Sequence, residues 1–591
     1  MKIYYKHILL ERILIAINAL AAISVAATFV MLYGFAQPVI SVTILYITQF
    51  IALAIFIAEK VIRFFNSQSK RDFLKFNWFE IPLFLLLFLA VLGSGRWFAG
   101  GSSVAILITV DAYLILQVIS KLCRTMVAIA ATGKNPPRAL AAVFVVLIWV
   151  GSGLLMLPRS HNLPRMDLTD AVFTAASATC VTGLIVKDTG TDFTLMGQVT
   201  ILSLIQLGGL GIVIFGAVTA LLLGQALSVR ESAAMQDLLN AQTLSRIGRM
   251  IAFIFLFTLV IESLGTVGLY SMWDDVPSET MTPEGKWFCS IFHSVSAFCN
   301  AGFSLFQKNL TEYKSCVQVY VVIAPLIVLG GLGFGVLYNL LSVLRDRLIR
   351  LVRGYGGSGR LFFTAPPARL HLQTKIVLFV SALLILVGTA ALMLFEYYSP
   401  NPNHDAGFPT ALFQSVSGRT AGFNTIDIAS LSEASKFILI LLMCIGGSPG
   451  STAGGIKTVT FAVVVMIVWA SFRKRRNVEI FGRSIRLLVV GRATTVLLLF
   501  SAMLLLSTFT LVITERHNGF AFLDILFETA SALGTVGLSA GITPSLTTAG
   551  KWVIIITMLV GRLGPLTLLA GLTREIKPAV FEYPSEPVIV G

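Results

Sequence analysis

Charge is scarce in this sequence. Asp, Glu, Lys and Arg make up 12% of its 591 residues, about half the share of a soluble globular domain, which excludes an ordinary water-exposed surface. Histidine is rarer still: His7, His161, His293, His371, His404 and His517 are the whole complement. Five lie near the termini or in loops, and no acid–histidine–nucleophile cluster exists, so an enzyme is not expected. Cysteine is limited to Cys123, Cys180, Cys289, Cys299, Cys316 and Cys444. No Cys-x-x-Cys and no metal-type pair spacing occurs, which argues against zinc or redox chemistry. Acidic residues are the scarcer charge, 29 against 44 basic, for a net +15.

What the chain has instead is apolar length. Hydrophobic residues are 56% of it, gathered in runs of about twenty, the length that crosses a hydrocarbon core. Twelve such runs are expected as spans, near 11–33, 39–58, 78–94, 103–123, 139–157, 195–222, 247–270, 318–342, 374–396, 435–471, 491–514 and 550–571. The first follows Lys2, Lys6, Glu11 and Arg12 without a small-residue cleavage site and reads as a retained span. The excess positive charge suggests nucleic acid only until its arrangement is read. Basic residues cluster in alternate loops, Lys60–Lys75, Lys121–Arg138, Arg345–Lys375, Arg473–Arg492 and Arg574–Lys577. With both termini cytoplasmic, every cluster falls on the cytoplasmic side of the cell membrane. Anionic lipid at that leaflet is the expected secondary attraction, and no nucleic-acid partner is expected.

Four short strings recur along the chain: Cys180, Val181, Thr182, Gly183; Cys299, Asn300, Ala301, Gly302; Arg419, Thr420, Ala421, Gly422; and Gly534, Thr535, Val536, Gly537. Their last glycines are 119, 120 and 115 residues apart, a period that marks a repeated domain unit. Phe173, Phe292 and Phe527 precede the glycine by ten residues, and Ser177, Ser296 and Ser531 by six. Phe413 and Ser417 stand one residue closer, so the third copy is one residue shorter. A second glycine cluster follows each string, at 207–211, 329–333, 445–450 and 560–565. Glycine also lets membrane helices pack closely, which accounts for any one cluster but not for all eight signatures. Four copies suggest one pseudo-fourfold axis, and a selectivity filter is such an object, with loop carbonyls replacing the hydration shell of a cation.

The expected architecture is an all-α polytopic membrane protein. Residues 1–133 hold four extra transmembrane helices without a copy of the repeat, and Pro136 and Pro137 mark a boundary. Residues 134–591 hold four units, 139–223, 246–345, 374–471 and 490–573, each a helix, a re-entrant pore loop and a second helix around a central pore. Asp167 to Asp170, Pro283 with Glu284, and Pro409 suit the starts of short helices whose negative ends point at the pore and favour a cation. The four phenylalanines are expected to pack, and the serines to hydrogen-bond filter backbone.

The second helix of the third unit, 435–471, would be roughly 55 Å long if continuous, too long for a ~30 Å core. Its glycine-rich stretch Gly446, Gly447, Ser448, Pro449, Gly450, Ser451, Thr452, Ala453, Gly454, Gly455 is therefore expected to break it mid-membrane, as a loop under the filter that serves as gate; Lys457 follows it. Arg562 stands where the other units have Gly209, Gly331 and Gly447. A membrane-buried arginine is costly and functional by default. It is expected to face the loop's carbonyls beside the ion path, or alternatively only to pin two helices. A disulfide between Cys289 and Cys316 is left open.

These strings, the run Gly446–Lys457 and Arg562 resemble the superfamily of potassium transporters that includes bacterial Ktr and Trk and plant HKT proteins. Asn135–Arg138 and Leu155–Pro158 look like the start of a Ktr pore subunit. The resemblance runs from about residue 136 to 575. It implies gated potassium uptake, a homodimer with one pore per protomer, and a cytosolic ring of nucleotide-binding regulatory subunits; Arg473–Arg476 and the Arg345–Arg369 loop are a candidate docking surface for that ring and equally read as a solvated positive-inside face. Potassium would be the ion in the pore, with no organic cofactor. All four filter positions are glycine, where a first-copy serine accompanies sodium preference in HKT proteins; sodium permeation or proton or sodium coupling is the alternative. Residues 1–133 depart from the Ktr pattern. Their fourth span lacks the repeated arginines of a voltage sensor, and a packing or dimer-shaping role is expected.

Overall fold

A membrane core offers no partner to an open N–H or C=O, so apolar runs close their hydrogen bonds within helices. The computed structural model describes residues 7–35, 37–38, 40–71, 110–111, 113–114, 117, 136–211, 247–274, 282–354, 368–399, 407–475 and 477–565. The expected third span, most of the fourth, the 131–135 side of the boundary, residues 212–223, the 400–406 loop with His404, Cys123, much of the Lys121–Arg138 and Arg345–Lys375 clusters, and Arg574–Lys577 lie outside the described residues.

Two N-terminal helices, α1 (Ile8–Tyr33) and α2 (Val42–Asn66), pack against each other. Glu11 of α1 and Glu59 of α2 both pair with Arg63, at 2.8 and 2.9 Å. A threefold pattern then recurs. Long helices are α3 (Pro136–Leu155), α6 (Ile247–Leu269), α10 (Leu372–Tyr397) and α14 (Leu487–Thr514). Each is followed by a short one: α4 (Leu168–Thr179), α7 (Pro283–Phe298), α11 (Phe408–Ser417) and α15 (Phe522–Gly534). Then comes α5 (Leu195–Leu210); α8 (Ala324–Leu332) with α9 (Phe334–Gly354); α12 (Glu433–Cys444) with α13 (Thr458–Phe472); or α16 (Thr548–Leu563).

The short helices have 12, 16, 10 and 13 residues, too few to cross a ~30 Å core at 1.5 Å per residue. Each packs on the long helix before it, and Phe173, Phe292, Phe413 and Phe527 are fully buried there. Packing also runs from copy to copy. α5 lies on α7, α8 on α11, α12 on α15, and α16 returns to α4, so the arrangement closes on itself. Two ion pairs sit at these junctions: Lys551 of α16 with Asp170 of α4 at 2.6 Å, and Lys436 of α12 with Asp524 of α15 at 2.9 Å.

Among the described residues, α1, α2, α3, α6, α10 and α14 are long and apolar enough to cross a membrane. The expected continuous span 318–342 is instead a pair, Val319–Leu332 and Phe334–Leu351, bent by 102°. After α13, Arg473 lies over the Trp469 ring and Arg475 pairs with Glu479 of a two-residue hairpin, Glu479–Ile480 with Arg483–Ser484.

Candidate functional site

The short helices begin as their sequences dictate. The Asp167 carboxylate accepts from Thr169 N–H at 3.1 Å, and the Thr282 hydroxyl accepts from Gly285 N–H at 3.3 Å with Pro283 next in line. α11 starts at Phe408 and Pro409 behind Gly407, and α15 has Asp524 in its first turn. Each helix runs into one of the four strings, and all four strings share one backbone feature. The residue two before the glycine is left-handed, Val181 at φ 57°, Asn300 at 59°, Thr420 at 81° and Thr535 at 50°. The glycines follow at 93°, 68°, 80° and 95°. Four non-glycine residues in that region cost roughly 1–3 kcal/mol each and persist only where their surroundings determine them.

The buried serines supply part of that determination. Thr182, Ala301 and Val536 N–H donate to the carbonyls of Ser177, Ser296 and Ser531 at 2.8, 2.7 and 2.8 Å. In the shorter third copy Ala421 N–H donates to Ser417 O at 2.9 Å, four residues back where the others reach five. The Ser177 and Ser531 hydroxyls accept from Gly183 and Gly537 N–H at 3.1 and 3.0 Å. Ser296 donates to Phe303 O at 2.8 Å, and Ser417 donates to Phe423 O.

The glycines stand in a closed circuit. A Cβ built on Gly183 would lie 3.2 Å from the Gly302 Cα, one on Gly302 2.9 Å from the Gly422 Cα, one on Gly422 3.2 Å from the Gly537 Cα, and one on Gly537 2.9 Å from the Gly183 Cα. The nearest backbone oxygens to these positions are those of Ala301, Ala421, Val536 and Thr182 in turn. On the C-terminal side of the strings a cavity of about 460 Å³ is lined by Gly183, Gly302 and Gly537, with Ser304, Asn424, Asp427 and Ser539 among its walls. The hydroxyls of Thr182, Thr420 and Thr535 are buried and have no hydrogen-bond partner among the described residues.

The other side of the circuit is closed by the ends of the second helices. α5, α8 and α16 each stop at a glycine of positive φ, Gly211 at 81°, Gly333 at 87° and Gly564 at 83°. The break expected of the third copy alone is found in the second as well, where the chain turns at Gly333, which a hydropathy run does not register. Gly208, Gly330 and Gly561 press against the carbonyls of Thr179, Phe298 and Leu533, so a side chain there would collide with the end of the short helix.

Residues 445–457 form the connection between α12 and α13. Its ends meet, with Ile456 N–H donating to Cys444 O at 3.0 Å and Thr458 N–H to Gly447 O at 3.0 Å. Ser448 and Thr452 N–H donate to Gly331 and Gly330 O at 3.0 and 3.3 Å, and Gly450 O accepts from Phe334 N–H at 3.0 Å. The Thr452 hydroxyl reaches Phe298 O at 3.3 Å, and Gly454 lies against Gly534 and Thr535. Pro449 and Ser451 complete the loop, where the Ser451 hydroxyl donates to Ser448 O at 2.7 Å. The loop therefore packs under the second and fourth strings.

Three cations hold it. Arg562 of α16 donates to Thr452 O, Gly208 O and, at 3.3 Å, Gly209 O. Lys457 Nζ donates to Ala453 O at 2.7 Å. Arg419 has its backbone in the third string, but its side chain donates to Gly446 O at 3.2 Å and to Ser381 O at 3.4 Å. Sequence reasoning places Arg419 with the filter and does not anticipate this link; the residue's charge, unique among the four strings, is the signal. Gly447 and Gly331 line a small cavity beside Arg419. Cys180 and Cys299 are buried, and the Cys299 thiol faces Gln206 Oε1 at 3.6 Å. Cys289 and Cys316 are not bridged; Cys289 Sγ lies 3.4 Å from His293 Nδ1.

A model of the TrkH cation transport protein family matches residues 105–579. The chain belongs to the TrkH family. It is 38% identical to the Ktr system potassium uptake protein B of Bacillus subtilis, over 77% of this chain and 97% of that one. The protein of the same description from Vibrio alginolyticus is 36% identical, over 77% and 95%. The potassium/sodium uptake protein NtpJ of Enterococcus hirae is 34% identical, over 77% and 97%. In fold, the chain is similar to the crystal structure of the potassium transporter TrkH from Vibrio parahaemolyticus, with TM-score 0.56 at 21% identity over 84% of this chain and 96% of that one. The TrkH family is one of transporters, not enzymes, and with its long apolar helices this member is a multi-pass membrane protein.

Proposed function

We propose that this TrkH-family chain takes up potassium through one selectivity filter built by its four strings. The closed circuit of Gly183, Gly302, Gly422 and Gly537 carries the reading. Four short helices end at it, and their negative ends favour a cation there. The unpartnered hydroxyls of Thr182, Thr420 and Thr535 are oxygens that a dehydrating cation can use. The relatives named potassium uptake protein B support potassium as the cargo. The loop Gly446–Gly455 with Lys457 and Arg562 is the gate: backbone and positive charge stand on the path out of the ring. Residues 1–133 form a four-helix extension and 134–591 the four-unit pore. The protein works in the cell membrane with both termini cytoplasmic, as a homodimer in lipid. A cytosolic ring of nucleotide-binding subunits binds its basic inner face, near Arg473 and Arg475.

Reconstituted vesicles test this with a cation series. Potassium and rubidium flux well above sodium supports the filter; equal flux for all, or none, removes it. A sodium-permeable or sodium- or proton-coupled transporter is the second reading, favoured by the relative named for both potassium and sodium. Potassium uptake that requires a sodium or proton gradient would select it.

A further inference from the structure

The residue after each buried phenylalanine of the short helices is polar and buried: Thr174, His293, Gln414 and Glu528. Two of the four make the same connection. His293 Nδ1 donates to Cys289 O at 2.8 Å, which leaves Nε2 to accept from the Ser304 hydroxyl at 3.0 Å. Ser304 Oγ in turn accepts from Phe306 N–H at 3.1 Å. In the fourth copy the Ser539 hydroxyl donates to Glu528 Oε1 and accepts from Gly541 N–H at 2.9 Å. Glu528 also accepts from Ala540 N–H at 3.2 Å and from the Thr543 hydroxyl at 3.0 Å. Both links span 11 residues. Both serines stand two residues beyond the string's glycine and line the outer cavity.

The other two copies lack the link. Thr174 turns back on Asp170 O at 2.9 Å, and its partner position is Ile185. Gln414 finds no side-chain partner among the described residues, while Asn424 bonds Ile426 O at 2.8 Å. Around the circuit Gly302 neighbours Gly183 and Gly422, so Gly302 and Gly537 face each other. The two braced strands are therefore opposite walls.

We propose that His293 and Glu528 are positioning residues that, through Ser304 and Ser539, fix two facing walls of the filter's outer mouth and so set its preference for potassium over sodium. This rests on the filter reading above. A ring that rejects the smaller ion must not shrink around it. A hydrogen bond to a fully buried group of a short helix resists that movement, because breaking it takes a partner from His293 or Glu528 in low dielectric. The second and fourth walls have this restraint at the residue two beyond the glycine; the first and third, Ile185 and Asn424, have no bond there to the short helix among the described residues.

Full-length protein in vesicles provides the test, by potassium-to-sodium flux ratio and half-saturating potassium, with thermal stability measured beside them. Ser304→Ala and Ser539→Ala remove only a hydroxyl, and each is expected to lower the ratio about fivefold, the size one hydrogen bond allows. Ser304→Thr and Ser539→Thr keep the hydroxyl and are expected near wild type. Glu528→Gln, which keeps an acceptor for Ser539, is expected to hold the ratio better than Glu528→Ala. Ser294→Ala, which loses a buried bond to Glu262 O, is expected to lose stability without a change in ratio. An unchanged ratio in both alanine variants, or threonine variants as impaired as alanine, overturns the proposal. A wild type without potassium preference removes the filter reading itself.

Discussion

The Arg562 guanidinium donates to the Thr452 carbonyl, and its other nitrogen reaches Gly208 at the end of α5. One side chain thus ties the α12–α13 loop to a different copy, directly under the ring, and places a positive charge there. A unit charge ~8 Å from an ion contributes about 2 kcal/mol at an effective dielectric near 20, and each ~1.4 kcal/mol of barrier is tenfold in rate. Arg562→Ala and Arg562→Gln are expected to raise potassium flux on the order of tenfold. Arg562→Lys keeps the charge but cannot span both carbonyls, and is expected in between. Flux that falls in step with thermal stability in all three would leave Arg562 a helix tie alone.

The loop itself is held by Ser448 and Thr452 on Gly331 and Gly330 and by Gly450 on Phe334. Deleting residues 448–452 removes these bonds together with the Arg562 anchor. Basal potassium flux is expected to rise in a deletion that stays folded. Wild-type flux in such a protein, with or without a regulatory partner, contradicts the gate.

Much of this site was legible because it is written in local chemistry. Proline and aspartate mark the starts of α4, α7 and α11, and the serine spacing anticipates the bonds of Ser177 and Ser531 to glycine N–H. The missing residue of the third copy reappears as the Ala421–Ser417 bond, which reaches four residues back where the other copies reach five. Other features have no local signal. Val181 is β-branched, yet left-handed, because tertiary packing overrides its preference. The 102° turn at Gly333 interrupts a continuous apolar run, since hydropathy reads burial and not direction. Asp170 and Lys551 are 381 residues apart, and only the closure of the four copies brings them together.

That closure has its own consequence. Asp170 and Lys551 are both largely buried and 2.6 Å apart. Removing Asp170 strands the Lys551 charge, which costs about 3 kcal/mol, whereas removing Lys551 leaves Asp170 the longer contact to Lys187 at 3.7 Å. Asp170→Asn is expected to lower thermal stability in detergent markedly and Lys551→Met less, with the double variant recovering part of the Asp170→Asn loss. Additive losses would show that the pair contributes nothing jointly.

Gly183 tests the ring's geometry. Its φ is 93°, and a Cβ there would collide with the Ala301–Gly302 backbone. Gly183→Ser is therefore expected to lower the potassium-to-sodium flux ratio by distorting the ring, in a protein whose helices remain intact by circular dichroism. An unchanged cation series in the folded variant would take Gly183 out of the filter.

The most direct measurement is to locate the ion. Crystals of the full chain in a thallium(I) salt, a heavy stand-in for potassium, should give anomalous density on the axis enclosed by the Thr182, Ala301, Ala421 and Val536 carbonyls, and excess sodium should not displace it. Density absent from that ring and present elsewhere, in protein that carries potassium flux, would contradict the account.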